Sequence, residues 1–355
     1  MNNGPFVALR GAMHTQLQGP RSSRRPPSGR TGAAEVRLHY PDSWVVSLGP
    51  NAAAMEQRAL IWLRERGIIH DRASAEKFAR LSVGEYANWP FPMATPKRAE
   101  TITKFLSLWI FYDDAIEEDG EGRADAIHEA IAGRPARFPG GDGYLRCWWE
   151  LGQEYGRSMS PAWLDRHAAR FSAWVEAVED ERKAMTRLRR TGACPTAREH
   201  LTRRRANIGM IPNLDFLEYQ MGWELPAEVL ADPLMLSVES SAADAVAIIN
   251  DVYGFSKDRD QRWGNVVSCA MQDLEIGPRT AFEWACDLHD ARLRTLLACE
   301  RELLAKYPRV RELQDWFVGL HYVIYGFAKW HSRAPRYQAR HHVGDEEIRI
   351  KIERA

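Results

Sequence analysis

The sequence predicts an all-α protein: one domain of about ten or more helices packed as a large bundle. Apolar residues recur at helical spacing from Pro50 to His331, and no alternating strand pattern of useful length or tandem repeat stands out. Pro follows a residue able to cap a helix at Thr95-Pro96, Ser160-Pro161 and Asp232-Pro233, so each pair marks a helix start.

In order, residues 54–67 carry Leu60, Ile61 and Leu63 between charged residues, with Gly67 as C-cap. Residues 73–86 repeat the pattern with Phe78, Leu81 and Val83, and Trp89-Pro90-Phe91-Pro92 forms a loop. The helix opened by Thr95-Pro96 runs through Phe105, Leu106, Leu108, Trp109, Ile110 and Phe111; being apolar nearly all round, it is expected to be buried. Residues 119–143 are rich in Gly, Pro and charge, with one short helix at 124–132. Helices over 147–157, 161–186, 195–219, 233–258, 278–306 and 310–331 complete the series.

Composition narrows the function. Lys+Arg and Asp+Glu are both 48, so the neutral chain gives no argument for nucleic acid or an anionic membrane surface. No apolar run is long enough to span a membrane. The five Cys are widely spread without a CxxC pair, which suggests reduced thiols in a cytosolic protein. Residues 1–35 are basic and rich in Pro, Ser and Gly, and are expected to be a disordered extension without a secretory signal. The domain then spans 36–340, with 341–355 as a tail.

Two stretches carry chemistry. Asn250, Gly254 and Asp258 sit at i, i+4 and i+8, on one face of a helix. Asn and Asp oxygens flanking a bare position suit a hard cation that completes its shell with water and phosphate, and Lys257 can meet that phosphate. In Asp113-Asp114-Ala115-Ile116-Glu117, Asp113 and Glu117 share a face at the carboxyl end of the buried helix. Negative charge is unfavourable there, and divalent cations would offset it. For either stretch alone, a solvated acidic surface is the competing reading. Together they describe a cavity with oxygen donors on both rims, able to hold Mg²⁺ ions and, through them, a diphosphate.

From about Pro50 to Gln338 the chain resembles the microbial class I terpene synthases, or terpene cyclases. Asp113-Asp114-Ala115-Ile116-Glu117 resembles their aspartate-rich metal motif, and Asn250 to Asp258 their second metal motif, Asn-Asp-x-x-Ser-x-x-x-Glu. Arg336-Tyr337 resembles their carboxy-terminal pair that closes over diphosphate, and Arg204, 46 residues before Asn250, takes the place of their diphosphate-sensing Arg. Gly254 departs from Ser or Thr, and Asp258 from Glu.

The resemblance implies a helical bundle around a central apolar cavity. Metal ligands would come from Asp113, Asp114, Glu117, Asn250 and Asp258, with water at Gly254; the ions would be Mg²⁺, about three per active site, or alternatively Mn²⁺. Arg204, Lys257, Arg336 and Tyr337 would bind the diphosphate, Arg204 and Tyr337 acting in its departure. Phe105, Trp109 and Trp330 would line the cavity, with Tyr253 and Phe255 as further aromatic candidates.

The expected activity is ionisation of a linear prenyl diphosphate, farnesyl diphosphate first, and cyclisation of the carbocation to a sesquiterpene. Geranyl or geranylgeranyl diphosphate, a chain-elongating prenyltransferase, and a helical binding protein without catalysis are the alternatives. Dimerisation stays open.

Overall fold

The computed structural model describes residues 34–119, 123–134, 143–258, 264–337, 341–343 and 346–354; side chains at 117–119 and 341–346 lie outside that description. Of the expected extension, residues 1–33 lie outside it.

The described residues form an α-helical bundle. The first helices are α1 (Ala52–Glu65), α2 (Arg72–Leu81), α3 (Val83–Asn88) and α4 (Pro96–Asp119). The helix expected over 73–86 is two, because Ser82 takes a left-handed conformation with φ of 50°. Helices α5 (Ala124–Ile131), α6 (Gly143–Tyr155) and α7 (Pro161–Thr191) follow, α7 continuing past the expected end near Thr186 to a left-handed Gly192.

The helix expected over 195–219 is broken into α8 (Ala197–Asn207), α9 (Met210–Leu214) and α10 (Phe216–Met221). The break is at Gly209, φ 74°, where a Cβ would come within 1.8 Å of the Trp109 ring. Glycine is required there both for conformation and for space. Then come α11 (Ala227–Leu230), α12 (Pro233–Gly254), α13 (Val266–Asp273), α14 (Pro278–Lys306) and α15 (Glu312–His331), of which α11 and α13 are not anticipated from periodicity. The alanine-rich α12 is buried along most of its length and packs on α8, α14 and α15; small side chains permit that close surround.

Strands are the main departure from expectation. β1 (Ala34–Tyr40) pairs in parallel with β3 (Glu346–Arg354), and β2 (His341–Val343) pairs antiparallel to β3. Val36, Leu38 and Tyr40 point inward, opposite Ile350, Ile352 and Arg354, while Glu35, Arg37 and His39 alternate outward. That period-two pattern is present in the sequence, running across the expected domain start at residue 36 and through the expected tail. β1 lies against α14, where the His39 amide donates to Asp290 Oδ1 at 3.1 Å, and Tyr40 stacks on Tyr325 of α15 at 4.6 Å. The folded unit therefore begins before residue 36 and continues beyond residue 340.

Candidate active site

A cavity of about 430 Å³ opens where the carboxyl ends of α4, α12 and α15 approach α7 and α8. Asp113, Asp114 and Trp109 line it from α4, Arg204 from α8, Asn250 from α12, Lys257 and Asp258 from the turn after α12, and Trp330, Arg336 and Tyr337 from the carboxy-terminal end. Two stretches far apart in sequence thus share one hollow.

Asn250 is held from several sides. Its Oδ1 accepts from Arg204 Nη2 at 3.0 Å, and its Nδ2 donates to Tyr337 Oη at 3.0 Å and His331 Nε2 at 3.1 Å. Arg204 also donates to Asn207 Oδ1 and Asp251 Oδ1. Asp251 faces the protein interior: His200 Nε2 lies 2.8 Å from its Oδ2, and the Val266 amide donates to the same oxygen. Burial alone would raise its pKa, but the Arg204 guanidinium and the His200 contact hold it below the usual carboxylate range.

The second motif is not one continuous helix face. α12 ends at Gly254, and a turn brings the Asp258 amide onto the Gly254 carbonyl at 2.9 Å. The Asp258 carboxylate folds back over the glycine, so a Cβ at 254 would lie 2.8 Å from Asp258 Oδ2. A carboxylate oxygen thus stands close to the bare position, so Asp258 would share with any water the side of Gly254 left free of a side chain. Burial raises the Asp258 pKa, with Lys257 opposing the shift. On the facing rim Asp114 forms an ion pair with Lys77, whose Nζ stands 4.6 Å from the Phe111 ring centroid. Glu117 is on α4, with its side chain outside the described residues.

Aromatic rings form the deeper walls. Trp109 meets Trp174 edge to face at 4.9 Å, and Tyr86 meets Trp330 at 4.3 Å. The Trp330 Nε1 donates to the Leu81 carbonyl, which fixes the ring. Phe105 does not reach the cavity. It is fully buried one turn below Trp109, among Trp148, His167, Phe171 and Phe216, because that ring cluster closes the floor. Tyr253 and Phe255 are not among the lining residues either; Phe255 packs on Phe282.

Several lining residues escaped the sequence reading. Glu181, Arg182 and Arg189 come from the carboxyl half of α7, Arg189 from beyond the end expected near Thr186, and no motif marks them. Asn207 sits one turn after Arg204, and His331 immediately after Trp330, but neither fits a spacing rule.

The donor set fits a divalent cation. Among the described residues no three His, Cys, Asp or Glu side chains already cluster as a metal site. The oxygen donors instead stand on two rims of an open cavity, as a hard cation that also takes oxygens from its substrate requires. Burial raises the Asp258 pKa despite Lys257 and Asn265, and a cation beside that carboxylate would favour its charged form further.

The solved structure of an α-eudesmol synthase superposes with a TM-score of 0.73 at 19% identity, covering 83% of this chain and 99% of that one. The 7-epi-alpha-eudesmol synthase of Streptomyces viridochromogenes, described as cyclizing (2E,6E)-farnesyl diphosphate, is 26% identical over 286 residues, 78% of this chain and 81% of its own. The spiroviolene synthase of Streptomyces violens is 28% identical over 308 residues, 81% of this chain and 82% of its own. Residues 104–295 match the family described as "Terpene synthase family 2, C-terminal metal binding". The chain belongs to that family of metal-binding terpene synthases.

Proposed function

We propose that this enzyme is a Mg²⁺-dependent sesquiterpene cyclase that ionises farnesyl diphosphate, cyclises the resulting cation and releases diphosphate. The observation that carries the reading is the meeting of Asp113 and Asp114 with Asn250 and Asp258 at one cavity mouth, beside Arg204, Lys257, Arg336 and Tyr337. The relative described as cyclizing (2E,6E)-farnesyl diphosphate supports the chain length.

Bound Mg²⁺ ions, held by Asp113, Asp114, Asn250 and Asp258 and with Glu117 as a further candidate, would neutralise charge developing on the leaving diphosphate. Arg204, Lys257 and Arg336 would bind its non-bridging oxygens, and the Tyr337 hydroxyl would donate to it. Asp251 and Asn207 keep the Arg204 guanidinium at the cavity, so little reorganisation is needed when charge appears. Below the mouth, Trp109, Trp174, Tyr86 and Trp330 would exclude water and present ring faces to the migrating cation. Mn²⁺ would serve in place of Mg²⁺ on the same oxygen set.

Incubating purified protein with farnesyl diphosphate and Mg²⁺, followed by mass spectrometry of extracted volatiles, should give cyclic C15 products that chelation abolishes. Longer prenyl diphosphates as products, or no turnover of geranyl, farnesyl or geranylgeranyl diphosphate, would contradict the reading.

A further inference from the structure

His331 touches the site without belonging to any motif singled out in the sequence. It is buried at the end of α15, with Nδ1 2.7 Å from the Phe327 carbonyl of the preceding turn. A carbonyl can only accept, so Nδ1 carries the proton and Nε2 presents a lone pair. That lone pair is 3.1 Å from Asn250 Nδ2. The second amide proton of Asn250 goes to Tyr337 Oη at 3.0 Å. Both donors of the amide are thus engaged on one side, leaving Oδ1 directed at Arg204 and the cavity.

An asparagine amide is nearly symmetric in shape, and turned over it would offer a cation two N–H groups instead of an oxygen. The surroundings must choose between the two orientations. Arg204 favours Oδ1 toward the cavity, but in the proposed reaction its guanidinium is drawn to diphosphate and its hold on Asn250 loosens. Tyr337 is equally shared with the diphosphate, and its hydroxyl can donate as well as accept. His331 is the partner with one fixed role.

We propose that His331 is a positioning residue for the metal ligand Asn250: the chain from the Phe327 carbonyl through the imidazole to the Asn250 amide fixes the amide oxygen toward the cation. The inference rests on the proposed function, since it needs a cation at Asn250. It assigns His331 no contact with substrate.

The test is isothermal titration of Mg²⁺ plus inorganic pyrophosphate into wild type, His331→Phe and His331→Gln, with circular dichroism melting of each. Loss of an outer partner of a metal ligand typically weakens binding ten- to hundred-fold, so His331→Phe should bind about ten-fold more weakly or worse. Gln offers an acceptor oxygen near the same place and should recover most of the affinity. Equal affinity in wild type and His331→Phe overturns the inference, as does equal loss in two folded variants. Wild type without Mg²⁺-dependent pyrophosphate binding overturns the proposed function instead. The wild type also carries an answer that needs no variant. ¹⁵N NMR of labelled imidazoles should show His331 as the Nδ1-protonated tautomer, and an Nε2-protonated ring would contradict the chain.

Discussion

Two charged clusters share this bundle, and they are built from similar residues to opposite ends. At the cavity mouth, Asp113, Asp114, Asn250 and Asp258 line one hollow with Arg204, Lys257 and Arg336, and Arg204 bonds Asn250 while Lys257 pairs with Asp258 at its edge. Elsewhere, Arg166 and Arg170 of α7 pair directly with Asp215 at the start of α10, Glu218 on α10 and Glu239 on α12. In the closed cluster Asp215 takes contacts from Arg166, Arg170 and His167, and Glu218 takes bonds from the Trp163 ring and the Leu225 amide as well as Arg166. A cluster that satisfies itself holds helices together. One whose donors line opposite walls of a cavity leaves room for a ligand between them.

That contrast can be broken most severely at Asp215. Its Ala variant leaves two guanidinium groups short of a buried partner, and unfolding free energy should fall by about 3–5 kcal/mol, read by urea denaturation. Asn250→Ala should do the reverse: turnover falling by about a hundred-fold or more, with little loss of stability. If Asn250→Ala unfolds the protein and Asp215→Ala leaves it intact, the assignment of the two clusters is inverted.

Glu218 sharpens the comparison through pH. Burial pushes its pKa up to about 7, against the pull of Arg166 and with the Asp215 carboxylate adding to the rise. A group raised in the folded state favours folding when protonated. Its contribution is full below the unfolded pKa of about 4.3 and is lost as pH rises through about 7. Stability should therefore decline by roughly 3–4 kcal/mol over that range from this group, and Glu218→Gln should remove the decline. Denaturation at about pH 5 and pH 8 checks the sign; a decline of the same size in Glu218→Gln would contradict it.

The smallest effects separate neighbours on α4. Trp109→Leu should alter the product mixture, since the ring lines the cavity, whereas Phe105→Leu should lower stability by roughly 1–3 kcal/mol with products unchanged.

How far the sequence could be read follows from the range of each signal. The helical series and the two motifs rest on local spacing, which Thr95-Pro96 or Asn250 to Asp258 display directly. The break at Gly209 depends on where the Trp109 ring of a distant helix comes to rest, so it looked like continuous helix. Phe105 and Trp109 share a face one turn apart, but only packing decides which meets the hollow and which the floor. The sheet pairs Ala34–Tyr40 with Glu346–Arg354 across nearly the whole chain, and the alternation in each was legible but too short to stand without its partner. The closed cluster was invisible for the same reason: Arg166, Asp215 and Glu239 lie on separate elements with no motif among them.

The most direct test of the two-rim account is a crystal structure with Mn²⁺ and inorganic pyrophosphate, read by anomalous scattering. The account predicts metal peaks between Asp113 and Asp114 on one side and Asn250 and Asp258 on the other, bridged by the diphosphate. Pyrophosphate bound without metal at that mouth, or metal bound away from both rims, would contradict it.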